Sequence, residues 1–337
     1  MSRPQNQTGH ARVRLGVWPT AIHQEDRLGS LLGASEGDVW IKRDDLSGFS
    51  WGGNKVRSIE FLLGSALAEE ATDIVLAGGP SSNFAALMAA GARAVGLNVH
   101  QFSYEEEPDT PVAGLTFGRQ MGATAFFTGS DDRSEMETAA ESYGAQLMSE
   151  GARPYLVPRG GASTVGALGF YAAAQELQAQ AGPEMPTTIV LPLGSGGSTA
   201  GLVAGLCGSD RPWRVHAVSV SRDPASFKGA IVDKAVACAA LYGVAIDQTE
   251  VDQRLEVHDG RDPGFARTTS EQRELMADVT ATTGLLVDPT YNSKALFWLR
   301  AAISAGRFSG HPVLYWNTGG ALGAIDHMGS LGRTSTT

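Results

Sequence analysis

A glycine-rich loop stands between an apolar run and a stretch of small residues. The apolar run ends at residue 193, and the loop reads Gly194-Ser195-Gly196-Gly197-Ser198-Thr199. Backbone N–H groups and hydroxyls at the start of a helix are suited to binding a phosphate. No Gly-Lys-Ser/Thr closes the loop, and Thr199 stands where the dinucleotide fingerprint has glycine. The pattern favours a monophosphate site, although a plain turn fits the loop alone equally well.

A lysine follows a second glycine pair, in the segment Gly52-Gly53-Asn54-Lys55. If a helix begins at this lysine, the positive end of the helix dipole lowers the pKa of the amine. A lowered pKa is what a lysine needs to form a Schiff base with a carbonyl group. Lys55 is therefore a candidate for covalent catalysis, and the alternative is a solvated surface lysine.

Polar side chains stand in three further loops. Ser81, Ser82 and Asn83 precede a helical stretch and could bind a carboxylate, or could simply cap that helix. Tyr291 also precedes a helical stretch; it could act as acid or base if its pKa is lowered, or it could be a core tyrosine. Thr318 follows the last apolar run and could hydrogen-bond a pyridine nitrogen, or it could belong to a turn.

Short apolar runs that alternate with helical stretches must position these loops. The pattern predicts strands at 73–77, 98–103, 124–128, 154–158, 188–193, 214–221 and 312–316. It predicts helices at 83–95, 135–150, 165–180, 224–242, 270–283 and 293–305, and a helix of small residues that ends at 206. Such alternation indicates an α/β protein with mostly parallel sheets, in which ligands gather at the carboxyl ends of the strands. The length of 337 residues suggests two domains.

Composition and charge exclude several classes of function. The net charge of −10 argues against a nucleic-acid partner and against an anionic membrane surface. No apolar run is long enough to span a bilayer, and residues 1–12 lack the apolar segment of a secretion signal. Cys207 and Cys238 are far apart and without metal-binding spacing, so neither a disulfide framework nor a metal site is expected. We expect a cytoplasmic protein.

Taken in order, these segments resemble the D-cysteine desulfhydrase/1-aminocyclopropane-1-carboxylate (ACC) deaminase family. This family belongs to the tryptophan-synthase-β-like, fold-type II enzymes, which depend on pyridoxal 5′-phosphate (PLP). The resemblance extends over nearly the whole chain and rests on LGVWPT (15–20), IKRDDL (41–46), GGNK (52–55), PRGG (158–161), GSGG (194–197), DPTY (288–291) and TGG (318–320). It implies two domains, each a mostly parallel twisted sheet flanked by helices, with PLP in the cleft between them. The large PLP-binding domain is expected at 1–50 and 165–337, and the small domain, which binds the substrate carboxylate, at 51–164.

The resemblance implies a role for each matching position. Lys55 is expected to bond covalently to PLP and to move protons at the substrate Cα, and Asn54 to support the 3′-oxygen of the cofactor. Residues 194–199 are expected to bind the phosphate. Thr318 is expected to face a neutral pyridine nitrogen, which makes PLP a weaker electron sink. Tyr291 is expected to stack near the substrate or to act on it.

The positions that meet the substrate depart from the family pattern. Substrate binding is implied for Ser81, Ser82, Asn83, Phe84 and Phe265. The family usually has Gln-Ser-Asn-His or Gln-Ser-Asn-Gln where this chain has Ser-Ser-Asn-Phe, and Gly-Tyr-Gly where it has Gly-Phe-Ala at 264–266. Asn292 stands where ACC deaminases usually carry an acid. We interpret these changes as a shift of substrate toward a bulkier or more apolar amino acid.

Three functions follow as hypotheses. The first is a PLP-dependent lyase on a small amino acid, which releases ammonia and a 2-oxo acid by β-elimination or ring opening. The second is β-replacement, in which a nucleophile adds after the elimination step and an unusual amino acid results. The third is a PLP-binding protein without turnover. Family members are commonly dimers, and a homodimer is therefore expected.

Overall fold

Two β-sheets with helices on their faces form the fold, in a computed structural model that describes residues 9–333. The ten strands of these residues are β1 (Ile22–Gln24), β2 (Val39–Arg43), β3 (Asp73–Ala77), β4 (Asn98–Ser103), β5 (Thr124–Phe127), β6 (Pro154–Val157), β7 (Thr188–Leu193), β8 (Arg214–Ser219), β9 (Leu255–Asp259) and β10 (Val313–Asn317). The expected absence of a secretion signal concerns residues 1–12, and most of that segment lies outside the described part of the chain.

Helices connect most of these strands. The α-helices of the described residues are α1 (Asp26–Leu32), α2 (Lys55–Ala68), α3 (Asn83–Val95), α4 (Ala113–Gln120), α5 (Arg133–Ser149), α6 (Thr164–Gln180), α7 (Gly197–Leu206), α8 (Pro224–Leu241), α9 (Gln248–Arg254), α10 (Ser270–Thr283), α11 (Asn292–Ser304) and α12 (Ala321–Arg333). Within residues 9–333, no helix combines the length and the apolar character needed to cross a membrane.

The larger sheet has six strands in the order β1-β2-β10-β7-β8-β9. All neighbouring pairs run parallel except β1 with β2. Ile189, Val190 and Leu191 in β7 are all fully buried, because helices cover both faces of a parallel sheet. The strand predicted at 188–193 is confirmed.

The smaller sheet has four parallel strands in the order β5-β4-β3-β6. All its strands fall between residues 73 and 157, whereas the larger sheet takes its strands from 22–43 and 188–317. The two-sheet α/β architecture expected from the sequence is therefore confirmed. The division into 1–50 with 165–337 and 51–164 is compatible with these strand positions and stays a prediction.

Most of the predicted elements form within one or two residues of their expected bounds. The structure adds elements that the pattern did not indicate, namely β1, α1, β2, α4, α9, β9 and α12. β2 was missed because its sequence, VWIKR, includes Lys42, a residue type that is uncommon in a buried strand. Lys42 is nevertheless fully buried, and its partners explain how.

A buried ionic network joins α2 to the larger sheet. The Arg57 side chain, 2% exposed, donates two hydrogen bonds to the carboxylate of Asp44, at 2.8 Å from Nε and 2.7 Å from Nη2. Its Nη1 also lies 2.8 Å from Oε2 of Glu176 on α6, and Lys42 Nζ lies 2.5 Å from Oε1 of the same carboxylate. Burial by itself would raise the pKa of Glu176, but the hydrogen bonds and charges of Arg57 and Lys42 lower it to about 2. Since Arg57 follows Lys55 by two residues, this network holds the first turn of α2 in place.

We expect Arg57→Ala to lower the free energy of unfolding by about 3–5 kcal/mol, because it leaves the buried Asp44 carboxylate without its ion-pair partner and leaves Glu176 with Lys42 alone. Urea unfolding followed by circular dichroism measures the loss. Arg57→Lys, which keeps the charge but not the paired hydrogen bonds, is expected to lose less. Arg93→Ala, at an exposed position of α3, is the matched control. A loss for Arg57→Ala as small as that of the control would contradict a structural role for the network.

Candidate active site

The loops singled out in the sequence meet in one cavity of about 400 Å³. Every residue predicted for the site lines this cavity except Gly197, which is the first residue of α7, and Asn292, the first residue of α11. The lining residues predicted from the sequence are Asn54, Lys55, Ser81, Ser82, Asn83, Phe84, Gly194, Ser195, Gly196, Ser198, Thr199, Phe265, Tyr291 and Thr318. Six chain segments separated by up to 264 positions in sequence thus converge, as expected for loops at the carboxyl ends of parallel strands.

Lys55 is the first residue of α2, and two glycines make the preceding turn possible. Gly52 and Gly53 have φ values of 72° and 113°, which other residues rarely adopt. A Cβ on Gly52 would collide with the carbonyl group of Asp45. The N–H of Asn54 donates to the carbonyl oxygen of Thr318 at 3.0 Å. The glycines therefore allow the chain to pass close to two neighbouring loops before it presents Lys55 to the cavity.

The Lys55 amine is set apart from the other lysines of the chain. It alone among the five lysines lines the cavity, and no hydrogen bond or ion pair of its Nζ occurs among the described residues. Lys42 is held by Glu176, and Lys294 donates to three backbone carbonyls. Burial lowers the pKa of Lys55 to about 8. The expected lowering of the Lys55 pKa is present, and burial is a cause that the sequence pattern did not indicate.

The loop between β7 and α7 fits an anion. The first-turn N–H groups of α7 have no carbonyl partner within the helix. The Thr199 hydroxyl is buried and without a hydrogen-bond partner in the described structure. Asn54 Nδ2 donates to Ser198 Oγ at 3.1 Å, which connects this loop to the one that carries Lys55. Unpaired N–H groups and an unpaired buried hydroxyl are what a bound phosphate would satisfy.

The loop that begins α3 serves two purposes at once. Ser82 is the N-cap of the helix, and its Oγ accepts a hydrogen bond from Ala85 N at 3.2 Å. The capping alternative raised by the sequence is therefore confirmed for Ser82. Ser81 and Asn83 line the cavity on either side of it. Their expected contact with a substrate carboxylate stays a prediction.

Phe84 contributes to the core as much as to the cavity. Its side chain is 2% exposed and belongs to the apolar cluster of α2 and α3. A Cβ on Gly161 would lie 2.5 Å from the Phe84 ring, so that glycine is required for the ring to fit. The phenyl ring that replaces the polar residue of the family thus forms a wall that is mostly covered by protein.

Asn292, which is expected from the sequence to meet the substrate, does not line the cavity. It is 2% exposed and connects two of the loops that line it. Its Nδ2 donates to Asp288 Oδ1 at 2.9 Å and to the Gly319 carbonyl at 2.5 Å. Its Oδ1 accepts from the Thr318 hydroxyl at 3.3 Å. The amide is suited to this place because it donates and accepts hydrogen bonds at the same time.

Tyr291 presents its ring to the cavity from the loop that Asp288 organises. The Asp288 carboxylate accepts hydrogen bonds from the backbone N–H groups of Thr290, Tyr291 and Asn292 at 2.8–3.0 Å. Burial raises the pKa of Tyr291 to about 12. The lowered pKa that the sequence analysis required for a base is absent, because burial disfavours the phenolate. The Tyr291 side chain therefore keeps its phenolic proton at neutral pH.

The cavity residues not predicted from the sequence include Tyr104, Arg133 and Arg222. Arg133 is the first residue of α5, and its guanidinium carbon lies 4.5 Å from the ring centre of Phe265 and 5.0 Å from that of Tyr104. None of these residues belongs to a glycine-rich motif. The one feature of the sequence that could have indicated them is their position after a predicted strand, where ligands of parallel sheets bind.

A second group of titratable residues lies on β8 and β9, away from the cavity. Ligand-type atoms of His216, Glu256 and His258 are within 4.8 Å of one another, and the sequence analysis expected no metal site. His216 Nδ1 and His258 Nε2 are 2.9 Å apart and share a hydrogen bond, while Arg307 Nη1 lies 3.3 Å from Glu256 Oε2. Hydrogen bonds and ion pairs among these side chains thus hold the group together.

Comparison with known proteins agrees with this geometry. The family profile described as "Pyridoxal-phosphate dependent enzyme" matches residues 13–319. The mitochondrial bifunctional D-cysteine desulfhydrase/1-aminocyclopropane-1-carboxylate deaminase of Arabidopsis thaliana is 31% identical over 330 residues, which cover 93% of this chain and 80% of the relative. D-cysteine desulfhydrase of Salmonella newport is 31% identical over 324 residues, with 93% and 95% covered.

Solved structures are similar as well. The crystal structure of an ACC deaminase homologue superposes with a TM-score of 0.87 at 30% identity and covers 96% of each chain. Together with the match over residues 13–319, this similarity makes the chain a PLP-dependent enzyme of fold type II. The chain belongs to the pyridoxal-phosphate-dependent enzyme family, and within it to the D-cysteine desulfhydrase/ACC deaminase group.

Proposed function

We propose that this enzyme is a lyase that acts on a small amino acid and releases ammonia and a 2-oxo acid by β-elimination or ring opening. One observation carries the proposal: Lys55, with a pKa lowered to about 8, lines the same cavity as the unpaired anion-binding loop before α7. Its relatives include a D-cysteine desulfhydrase and a bifunctional desulfhydrase/deaminase. Their names support the reaction class, whereas the changed residues 81, 84 and 265 argue for a different substrate.

The residues of the cavity suit PLP. The loop 194–199 would hold the phosphate. The Thr199 hydroxyl and the first N–H groups of α7 need a hydrogen-bond acceptor, and phosphate oxygens supply one. Lys55 would bond to the aldehyde carbon, and Thr318 would face the pyridine nitrogen from the neighbouring loop. When bound, PLP supplies an electron sink that stabilises the charge left at the substrate Cα after the proton departs.

Two side chains are proposed to move protons. The Lys55 amine takes the proton from the substrate Cα, since its lowered pKa leaves a large neutral fraction near pH 8. Tyr291 remains protonated up to high pH and donates to the group that leaves from Cβ or to the opened ring carbon. Ser81 and Asn83, at the start of α3, hold the substrate carboxylate so that the Cα–H bond points at Lys55.

β-Replacement is a second candidate, which the aromatic side of the cavity favours. Tyr104, Phe265 and Tyr291 line this side, and a wall of rings limits the access of water to a reactive bound product. Product analysis with and without added thiols separates the two reactions: a new thioether amino acid indicates replacement, and ammonia with a 2-oxo acid under both conditions indicates the lyase.

A cytoplasmic homodimer also stays part of the proposal, and light scattering of the purified protein tests the dimer.

We expect Lys55→Ala to abolish the visible absorbance band of protein-bound PLP, because the alanine cannot form the covalent bond. Absorbance spectra of the purified proteins measure this. Lys228→Ala, which removes a lysine that pairs with Asp252 outside the cavity, is the matched control and should keep the band. A wild-type band that survives in Lys55→Ala would overturn the assignment of the lysine. If no amino acid in a panel of D and L forms perturbs the wild-type band, the protein binds PLP without turnover.

The rate of PLP uptake by cofactor-free protein is expected to depend on pH through Lys55. Only the neutral amine attacks an aldehyde, so the rate should rise with pH and level off above about 8, the lowered pKa of this lysine. A lysine at its ordinary pKa of 10.5 would instead give a rate that still rises beyond pH 9. Stopped-flow absorbance between about pH 6.5 and 10 distinguishes the two profiles, with Lys55→Ala as the baseline.

Tyr291→Phe is expected to lower kcat/KM by about 10²–10³-fold while the PLP band is retained, because the variant loses a positioned proton donor but keeps the ring. Tyr143→Phe is the matched control. Tyr143 lies on α5, packs against Phe102 and Phe126, and does not line the cavity. Turnover of the best substrate from the amino-acid panel measures the effect. Full activity of Tyr291→Phe would assign the proton transfer to another group.

A further inference from the structure

The cavity holds more positive charge than a phosphate requires. Three arginines line it, Arg133, Arg159 and Arg222, in a chain whose net charge is −10. The two lining carboxylates are occupied elsewhere: Asp288 accepts backbone N–H groups of its own loop, and Asp326 accepts from Ala113 N at 3.0 Å. Within residues 9–333 neither carboxylate forms an ion pair with these arginines.

Two of the arginines belong to the phosphate side of the cavity. Arg159 and Arg222 also line the recess behind Ser195 and Gly196, on the outer side of the anion-binding loop. Burial lowers the pKa of Arg222, and the nearby charge of Arg159 lowers it further. Arg159 Nε lies 3.4 Å from Glu137 Oε1, so one of the two charges already has a carboxylate partner. A phosphate bound at this loop would balance the other.

Arg133 lies elsewhere, on the wall that Phe265, Tyr104 and Tyr291 form. Its guanidinium carbon lies 4.5 Å from the ring centre of Phe265 and 5.0 Å from that of Tyr104. The Phe265 ring in turn lies edge-to-face against Tyr291, with ring centres 6.2 Å apart, so one ring separates the guanidinium from the phenol. No hydrogen bond or ion pair of Arg133 is found in the described part of the chain.

The same rings connect Arg133 to the loop at the start of α3. A Cβ on Gly79 would lie 2.6 Å from the Tyr104 ring, so Tyr104 packs directly on the Gly78–Asn83 segment. A substrate whose carboxylate binds this segment and whose Cα faces Lys55 therefore extends its side chain toward Arg133. A guanidinium stacked on aromatic faces keeps its N–H edge free, and that edge fits two oxygens of one anion.

We propose that Arg133 binds an oxyanion at the end of the substrate side chain, so that the substrate is an acidic amino acid. This proposal rests on the function proposed above and specifies its substrate class. The proposal also revises the interpretation of Phe265, which replaces the family's tyrosine. The Arg133 guanidinium lies over the Phe265 ring, so we now interpret this replacement as a change toward a negatively charged substrate rather than a more apolar one.

The experiment compares pairs of ligands that differ mainly in the charge of the side chain. Aspartate and asparagine, and O-phosphoserine and serine, are titrated in D and L forms into the holoenzyme, and the PLP absorbance reports binding. The wild type is expected to bind the anionic member of at least one pair about 10–100-fold more tightly, the effect of a hydrogen-bonded ion pair in a shielded site. Arg133→Met should remove that preference and leave the affinity for the neutral member within about threefold.

The matched control is Arg300→Met, since Arg300 lies over the Phe297 ring at 5.1 Å but does not line the cavity. It should keep the preference, and Arg133→Lys should keep part of it. Equal affinities for charged and neutral ligands in the wild type would overturn the proposal, as would a preference that persists in Arg133→Met. The proposed lyase function is tested separately by the PLP absorbance band that depends on Lys55. If amino acids perturb this band, the lyase function stands even when the proposal for Arg133 fails. If no amino acid perturbs it, both the lyase function and the proposal for Arg133 are wrong.

Discussion

The paired hydrogen bonds between Arg57 and Asp44 are the constraint on which the site depends. They join the first turn of α2 to the segment that follows β2, and Glu176 extends the same network to α6. A buried ion pair contributes little net stability compared with apolar packing, but it is sensitive to geometry because each charge needs its partner. Since Lys55 lies two residues before Arg57, the network determines where the amine stands relative to both sheets.

A second hydrogen-bonded group, around Asn292, does the same for the opposite wall. Asp288 shapes the loop that carries Tyr291, and Asn292 connects that loop to Thr318 and Gly319. Through the hydrogen bond from Asn54 N to the Thr318 carbonyl, this group is also linked to the turn before Lys55. The proposed proton donor and the lysine are therefore held by one continuous set of buried contacts.

The distribution of charge gives the cavity two distinct ends. Unpaired N–H groups, the Thr199 hydroxyl and two arginines lie at the end where the phosphate is proposed to bind. At the other end, aromatic rings support a single arginine next to Tyr291. Lys55 is neutralised more easily than an exposed lysine because burial between these ends disfavours its charged form. This arrangement is suited to a ligand with negative charge at both extremities and a reactive centre between them.

The sequence by itself determined the family, the α/β class and the bounds of most strands and helices, and it predicted Lys55 and the loop 194–199 as candidate site residues. These follow from local patterns, since a strand–glycine loop–helix order is written in adjacent residues. Only the tertiary structure decided that Asn292 is a buried connector, that Phe84 packs in the core, that the pKa of Tyr291 is raised, and that Arg133 reaches the cavity. Burial and pairing depend on residues far apart in the chain, here on loops after strands of two different sheets, and no local pattern contains that information.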